Sequence, residues 1–122
     1  MGYTNYIRQK RDFTDNEWRQ ITEEYNYILE FKRISPLDCP DDVIMFNGKN
    51  QSCETFMLCK NIDDYFKNNK HMGDHYRVEY EKEGFHFTFC KTRMFDYDIY
   101  VWHLCVVAWA VSKDNIHISR DR

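Results

Sequence analysis

The stretch EGFHFTFCKTRMFDYD, residues 83–98, runs from an alternating apolar segment straight into charged, hydroxyl and thiol side chains. Lys91, Thr92 and Arg93 place two cations and a hydroxyl where a strand is predicted to end and a helix to begin. Free backbone N–H groups at a helix N-terminus attract anions, and nearby cations strengthen that attraction. The pattern indicates an anion site, with a solvated strand end followed by a helix cap as the alternative interpretation.

Acidic and aromatic side chains surround this segment. Asp98 falls in the first turn of the predicted helix, where a carboxylate favours the helix dipole and can cap the backbone. Tyrosines offer both a ring and a hydroxyl, which suits a nucleobase or a ribose. The tyrosines that we expect near the site are Tyr3, Tyr6, Tyr97 and Tyr100.

Metal-binding arrangements of cysteine and histidine are not supported by the spacing. Cys53 and Cys59 share a face of a predicted strand but lie ~20 Å apart along it. His71 and His75 have the spacing of a helical metal pair, but Gly73 between them favours a solvated loop. We therefore expect no metal and no cofactor.

Two short segments resemble the paired H-x-T signatures of two-histidine phosphodiesterases. They are HFTF at 86–89 and CETF at 53–56. In such enzymes one histidine acts as general base and the other as general acid. Position 53 is cysteine here, so the pair is incomplete, and two ordinary amphipathic strands are the better interpretation. The sequence lacks a complete acid–base or nucleophile set, which argues against an enzyme.

Size and composition indicate one folded domain over residues 1–122. Of these residues, 43% are hydrophobic and 17% aromatic, enough to bury a core. The net charge of −3 predicts no general affinity for nucleic acid or for a membrane surface. Five cysteines, an odd number, and a start without an apolar signal region predict free thiols and a cytoplasmic location. The longest apolar run, IYVWHLCVVAWAV, is too short to span a bilayer.

Periodicity predicts an α+β fold, a mostly antiparallel sheet of about five strands with two main helices packed on one face. A capping box of Thr14 and Glu17 marks the start of the first helix, which ends within SPLDCPDD. The second helix is apolar nearly all round and is expected to be covered on several sides. Predicted strands cover 2–7, 43–47, 53–59, 85–92 and 115–119, with a further edge strand at 75–80. The charged segment 8–12 is expected to be a solvated connector. A short helical turn is predicted in 61–70, and the second helix is predicted over 96–112. The predicted core comprises Trp18, Ile21, Phe87, Phe89, Trp102, Val106 and Trp109, with Cys105 also inside.

Short motifs spread along the chain resemble a family of small uncharacterised phage and bacterial proteins. The shared motifs are GYT at 2–4, FNG at 46–48, ETF at 54–56, FCKT at 89–92, YD at 97–98 and the ending HISRD at 117–121. The chain departs from that family at Cys53, where histidine is usual, and at Asp96, where proline is usual. The resemblance implies a single domain of phage or mobile-element origin. It adds Tyr3, Thr4, Asn47, Glu54, Thr55, Lys91, Thr92, Tyr97 and Asp98 to the candidate binding residues, beside Arg93.

Three functions follow from these patterns. The first is a non-enzymatic binder that sequesters a small anionic ligand such as a nucleotide, in counter-defence or host takeover. The second is an inhibitor that binds a host or defence protein through its aromatic surface, and the third is a small phosphodiesterase-like hydrolase using His86 or Glu54. Self-association into a homo-oligomer is left open.

Overall fold

The first and last strands of the chain pair with each other in one of two small sheets. The computed structural model describes residues 3–69 and 71–121. In chain order the described elements are β1 (Thr4–Gln9), α1 (Asp15–Leu29), β2 (Ile34–Pro36), β3 (Val43–Gly48), β4 (Phe56–Cys59), α2 (Ile62–Lys67), α3 (Gly73–Glu83), β5 (His86–Lys91), α4 (Asp98–Val111) and β6 (Ile116–Asp121). The protein is therefore α+β, as predicted.

The strands form two three-stranded antiparallel sheets, ordered β5-β1-β6 and β2-β3-β4, in place of the predicted single sheet. The predicted strand over 53–59 is shorter than expected, because residues 53–55 leave the hairpin and bond to the end of β5 and the start of α4. Strand β2 was not predicted, and β1 continues into a segment that we expected to be a solvated connector.

The first helix begins as the sequence predicts. The backbone N–H of Glu17 donates to Thr14 Oγ1 at 3.1 Å, and the Thr14 N–H donates to Glu17 Oε1 at 2.9 Å. This reciprocal capping box satisfies two backbone donors that the first turn leaves free. Trp18, Ile21 and Ile28 form its buried face, and the helix ends before either proline.

The predicted edge strand at 75–80 is wrong, since this segment lies in α3. Tyr76 and Tyr80 alternate like strand residues, but they are also four positions apart and so share one helix face. That face packs on α2, where the rings of Tyr80 and Phe66 lie 6.1 Å apart. The six-residue pattern fits both the two-residue period of a strand and the 3.6-residue period of a helix. Packing against α2 favours the helix.

Strand β5 is correctly predicted, but its two faces are reversed. His86 and Cys90 are buried, whereas Phe87 is 38% and Phe89 45% exposed. The prediction that these two phenylalanines belong to the core is therefore wrong. Alternation shows which residues share a face of the strand but not which face is buried. Here the buried face carries the thiol of Cys90 and the imidazole of His86, which stacks on Tyr65 of α2.

The main core lies between the two sheets and the pair of helices α1 and α4. Its centre includes Ile21, Phe46, Leu58 and Leu104, all fully buried, and Cys105 is buried with them as predicted. A second, smaller cluster surrounds Tyr65 and Phe66 of α2.

Helix α4 is covered on only one side. Ile99 is 67%, Val106 37% and Trp109 40% exposed, and Trp102 is half-buried. The prediction that Val106 and Trp109 are core residues is wrong, because α4 packs on α1 and the first sheet through its other face and leaves these two side chains partly exposed. Among the described residues, no helix has the length and apolar character needed to cross a bilayer.

Candidate functional site

The motif residues near the start of α4 meet in a buried polar junction. Asp98 accepts hydrogen bonds from Asn5 Nδ2 at 2.9 Å and Thr92 Oγ1 at 2.5 Å, and it forms an ion pair with Arg120. Burial by itself would raise the pKa of Asp98, but these three donors outweigh it and hold the pKa below the usual value. The junction ties β1, β6 and the end of β5 to the first turn of α4.

Tyr97 extends this junction to the loop before β4. Its ring is fully buried, and its hydroxyl donates to the Glu54 carbonyl at 2.8 Å while accepting from the Cys53 N–H at 3.2 Å. Burial raises the pKa of Tyr97 well above the usual value. The hydroxyl that we expected to face a ligand therefore holds two chain segments together.

Glu54 bonds to the end of β5 through its backbone and its side chain. Its N–H donates to the Lys91 carbonyl at 3.0 Å, and Glu54 Oε1 accepts from the Lys91 N–H at 2.7 Å. The Tyr3 carbonyl accepts from the Thr92 N–H at 2.9 Å, next to the buried Thr4. Most of the predicted site residues thus satisfy one another.

The FNG motif forms the end of β3, beside the same junction. Asn47 Oδ1 accepts from the Gly48 N–H at 2.8 Å, and Asn47 Nδ2 donates to Thr55 Oγ1 at 3.2 Å. A Cβ added at Gly48 would lie 1.8 Å from the Gln51 carbonyl oxygen and 2.9 Å from the Tyr97 ring. Only glycine fits between these two neighbours.

The three residues of the predicted anion site do not point to the same side. The side chains of Lys91 and Arg93 are exposed, whereas Thr92 points inward and is fully buried. Arg93 and Met94 both have positive φ, 55° and 60°, which marks a tight turn into α4. An anion held between Lys91 and Arg93 stays a prediction.

A groove opens where β5 meets α3. Its volume is about 440 Å³, and it is lined by Arg8, His75, Tyr76, Glu79, Tyr80, Glu83, Phe85, His86 and Phe87. The Arg8 guanidinium lies 5.0 Å from the Phe87 ring centre and 5.6 Å from that of Phe85. Binding pockets for small molecules typically have volumes of about 300–1,000 Å³ with mostly aromatic or apolar walls. We call this feature the β5 groove.

A second hollow adjoins the β5 groove and shares Tyr76, His86 and Phe87 with it. Its volume is about 240 Å³, and its remaining lining residues are Glu54, Thr55, Met57, Tyr65, Asn69, Thr88 and Phe89. Thr88 Oγ1 is buried and has no hydrogen-bond partner among the described residues. A buried hydroxyl without a partner is unfavourable, and a ligand or water in the hollow would relieve it.

His86 forms the floor between the two cavities. Its imidazole stacks on the Tyr65 ring at 4.2 Å between ring centres, with Phe66 and Tyr76 edge-on at 5.6 and 5.8 Å. Burial lowers the pKa of His86 to about 4, so the ring is neutral at pH 7. A neutral imidazole beneath two open cavities can accept or donate one hydrogen bond to a bound molecule.

The paired H-x-T hypothesis is met only in part. His86, Thr88 and Thr55 line the same hollow, so the two segments do face each other. Position 53 does not join them, because Cys53 packs against the main core. Among the described residues, no group of three or more histidine, cysteine, aspartate or glutamate side chains is placed to hold a metal ion.

The outward face of the first sheet carries an aromatic row that continues the β5 groove. The Tyr6 and Phe87 rings stack at 5.7 Å, and Phe87 and Phe89 lie 6.1 Å apart. From the sequence we expected these phenylalanines in the core and Arg8 in a solvated connector. The signal for this surface was the spacing of Tyr6 and Arg8, two residues apart on one face of β1. Its meaning becomes clear only when β1 is paired with β5, which carries Phe87 and Phe89.

The five cysteines are free and differ in burial. Cys39 and Cys53 are half-buried, whereas Cys59, Cys90 and Cys105 are buried. Burial raises the pKa of Cys105 to about 12, and it also raises the pKa values of Cys59 and Cys90. Because the thiolate is the reactive form, these three should resist alkylation.

We expect native protein to take up two alkyl groups rapidly and unfolded protein to take up five, as measured by mass spectrometry without reductant. The unfolded sample controls for reagent quality. A native mass lower by two hydrogens, or equal labelling rates at all five positions, would contradict this assignment.

Sequence and structure comparisons supply no relative from which to transfer a role to the β5 groove. Searches against protein-family models, curated proteins and solved structures gave no match to this chain.

Proposed function

We propose that the protein is a non-enzymatic binder of a nucleotide-like ligand, a molecule with a flat ring and a phosphate, held in the β5 groove. The observation that carries this proposal is the position of Arg8, stacked on Phe85 and Phe87 at the groove wall. None of the ion pairs formed among the described residues includes Arg8. A guanidinium without a carboxylate partner is well suited to bind a phosphate.

The other walls suit the remainder of such a ligand. The aromatic side chains of Tyr76 and Phe87 line the groove, and stacking on an aromatic side chain contributes about 1–3 kcal/mol per base. Glu79 and Glu83 line the same groove and would accept from ribose hydroxyls or from an exocyclic amine. In the adjoining hollow, Thr88 and Asn69 supply further polar groups.

Sequestration fits these features better than hydrolysis does. His86 packs against three aromatic rings. Cys53 occupies the position where a second catalytic histidine would be needed, and it packs against the main core. The resemblance to phage proteins supports a setting in the host cytoplasm, where removal of a nucleotide signal would serve counter-defence. That setting is part of the proposal.

The test is a thermal-shift and calorimetry screen with ribonucleoside mono-, di- and triphosphates and cyclic nucleotides. Inorganic phosphate and free nucleosides serve as charge-only and base-only probes. A nucleotide at 100 times its Kd should stabilise the protein by about 2.7 kcal/mol. Recovery of the nucleotide unchanged supports a binder, whereas conversion to a product would make the protein an enzyme. If every probe leaves the melting temperature unchanged, the proposal fails.

Arg8→Ala should weaken nucleotide binding by about 10- to 100-fold, because it removes a charge-assisted contact of about 1.5–3 kcal/mol. Lys113→Ala is the matched control, since Lys113 Nζ also lies 5.0 Å from a ring centre, that of Trp109, but on α4's exposed side. Titration calorimetry should show unchanged affinity for that variant. Equal losses of nucleotide affinity in both variants would contradict the assignment of Arg8 to the binding site.

A further inference from the structure

The charged side chains of the β5 groove have no positive excess. Arg8 is the one permanent cation among the described lining residues, whereas Glu79 and Glu83 contribute two carboxylates. His75 also lines the groove, and its Nε2 lies 4.0 Å from Glu79 Oε1. One cation and two carboxylates sum to −1, and counting His75 as protonated brings the sum only to zero. The floor residue His86 adds no charge, since it is neutral at pH 7.

The opposite charges of the groove lie on different walls. Arg8 belongs to β1 and lies over Phe85 and Phe87 on the strand side. Glu79 and Glu83 are four residues apart on α3 and therefore lie on one face of that helix. None of the ion pairs among the described residues joins Arg8 to either carboxylate. A ligand that fills the groove contacts the cation on one side and the two carboxylates on the other.

Cations around the groove do not line it. Lys10 follows Arg8 closely in sequence, His117 is its partner in the neighbouring strand β6, and Lys82 precedes Glu83. All three are exposed, and none is a lining residue. The whole chain carries a net charge of −3. A ligand with several phosphates would therefore bring more negative charge into the groove than its lining residues balance.

From this balance we infer that the β5 groove selects a nucleotide with a single negative charge, a phosphodiester such as a cyclic mononucleotide, over nucleotides with di- or triphosphate chains. The inference rests on the proposed function and names the charge class of its ligand. One guanidinium can bind one phosphodiester through two parallel hydrogen bonds. A phosphomonoester already carries about −1.5 to −2 at pH 7, and each further phosphate adds to that charge. Glu79 and Glu83 are the residues that set this specificity.

Coulomb's law gives the size of the expected selectivity. Two unit charges about 8 Å apart in water repel enough to weaken binding about 2-fold. A nucleoside triphosphate carries about three more negative charges than the cyclic monophosphate, so it should bind about 10-fold more weakly. The effect is largest at low ionic strength, where the Debye length is long.

Titration calorimetry tests the inference at about 10 mM salt, without divalent cations. The probes are the cyclic 3′,5′-monophosphate and the 5′-mono-, di- and triphosphate of adenosine, guanosine, cytidine and uridine. For wild type, affinity should fall in that order of phosphate forms. The double variant Glu79→Gln, Glu83→Gln removes both negative charges at nearly constant size, and the order should reverse, with the triphosphate bound about 10-fold more tightly than the cyclic form.

Glu81→Gln is the matched control. Glu81 is exposed on the same helix but does not line the groove, so this variant should keep the wild-type order. Circular dichroism melts of the variants check that each is folded.

The possible failures are distinguishable. Wild-type affinities that are equal for all phosphate forms, or that rise with added phosphates, overturn the inference and leave the proposed function standing. If none of the forms binds, both are wrong. A wild-type order that persists in the double variant contradicts the assignment of selectivity to Glu79 and Glu83, as does a reversal that Glu81→Gln also produces.

Discussion

Replacing Phe46 by alanine is expected to lower the free energy of unfolding by about 3–5 kcal/mol, which is a large part of the stability of a domain this size. The Phe46 ring is fully buried and lies between Tyr25, at 5.9 Å between ring centres, and Phe56, at 5.2 Å. The loss combines the removed apolar contact with a cavity that the surrounding β3, β4 and α1 cannot fill. Urea unfolding followed by tryptophan fluorescence measures it.

Phe89→Ala is the matched control, with the same substitution on another strand. Phe89 is 45% exposed, so its truncation should change the unfolding free energy by less than about 1 kcal/mol in the absence of a ligand. If the two variants lose comparable stability, the assignment of the β5 faces is wrong.

Asp98→Ala is the second variant expected to have a large effect, a loss of about 3 kcal/mol. It leaves the partly buried Arg120 guanidinium without its counter-charge, and it removes the acceptor for Thr92 and Asn5. Asp96→Ala, two residues earlier and exposed, is the control and should cost less than about 0.5 kcal/mol. Equal losses at the two positions would show that helix capping, and not the polar junction, sets the effect.

The contribution of Asp98 to the free energy of unfolding should decrease in acid. The pKa of Asp98 is lower in the folded protein than in the unfolded chain, so its contribution to stability is complete above the unfolded pKa of about 3.9. That contribution falls as the pH drops through the lower folded pKa. The stability difference between wild type and Asp98→Ala should therefore be constant from pH 5 to 7 and shrink below about pH 4. A difference that grows in acid would contradict the bonding described for Asp98.

Local interactions of this protein can be predicted from the sequence, and long-range ones cannot. The capping box of Thr14 and Glu17 lies within four residues, so its chemistry is visible in the sequence. Asp98 presents the opposite case, because its partner Asn5 lies 93 positions away. The sequence suggested that Asp98 caps a helix or faces a ligand, and only the pairing of β1 with β5 and β6 brings its donors to it.

The direction in which side chains point on a strand was the second feature that the sequence could not predict. The alternation in HFTFCK identifies two faces, and apolar content favoured the phenylalanines for the inner one. In the fold, the inner face of β5 meets the aromatic residues of α2, where His86 stacks on Tyr65. The phenylalanines then lie outside, beside Arg8, and form the groove that the motifs alone did not reveal.

Strand β1 occupies the centre of its sheet, between β5 and β6. Both neighbours come from the far part of the chain, as the bond from the Lys10 N–H to the Asn115 side chain, 105 positions away, illustrates. During synthesis on the ribosome β1 therefore emerges well before β5 and β6, and it has no strand partner until they follow. Contacts of such high sequence separation slow folding. In the meantime, the hairpin of β3 and β4, whose strands are close in sequence, is the part of the sheet structure able to form first.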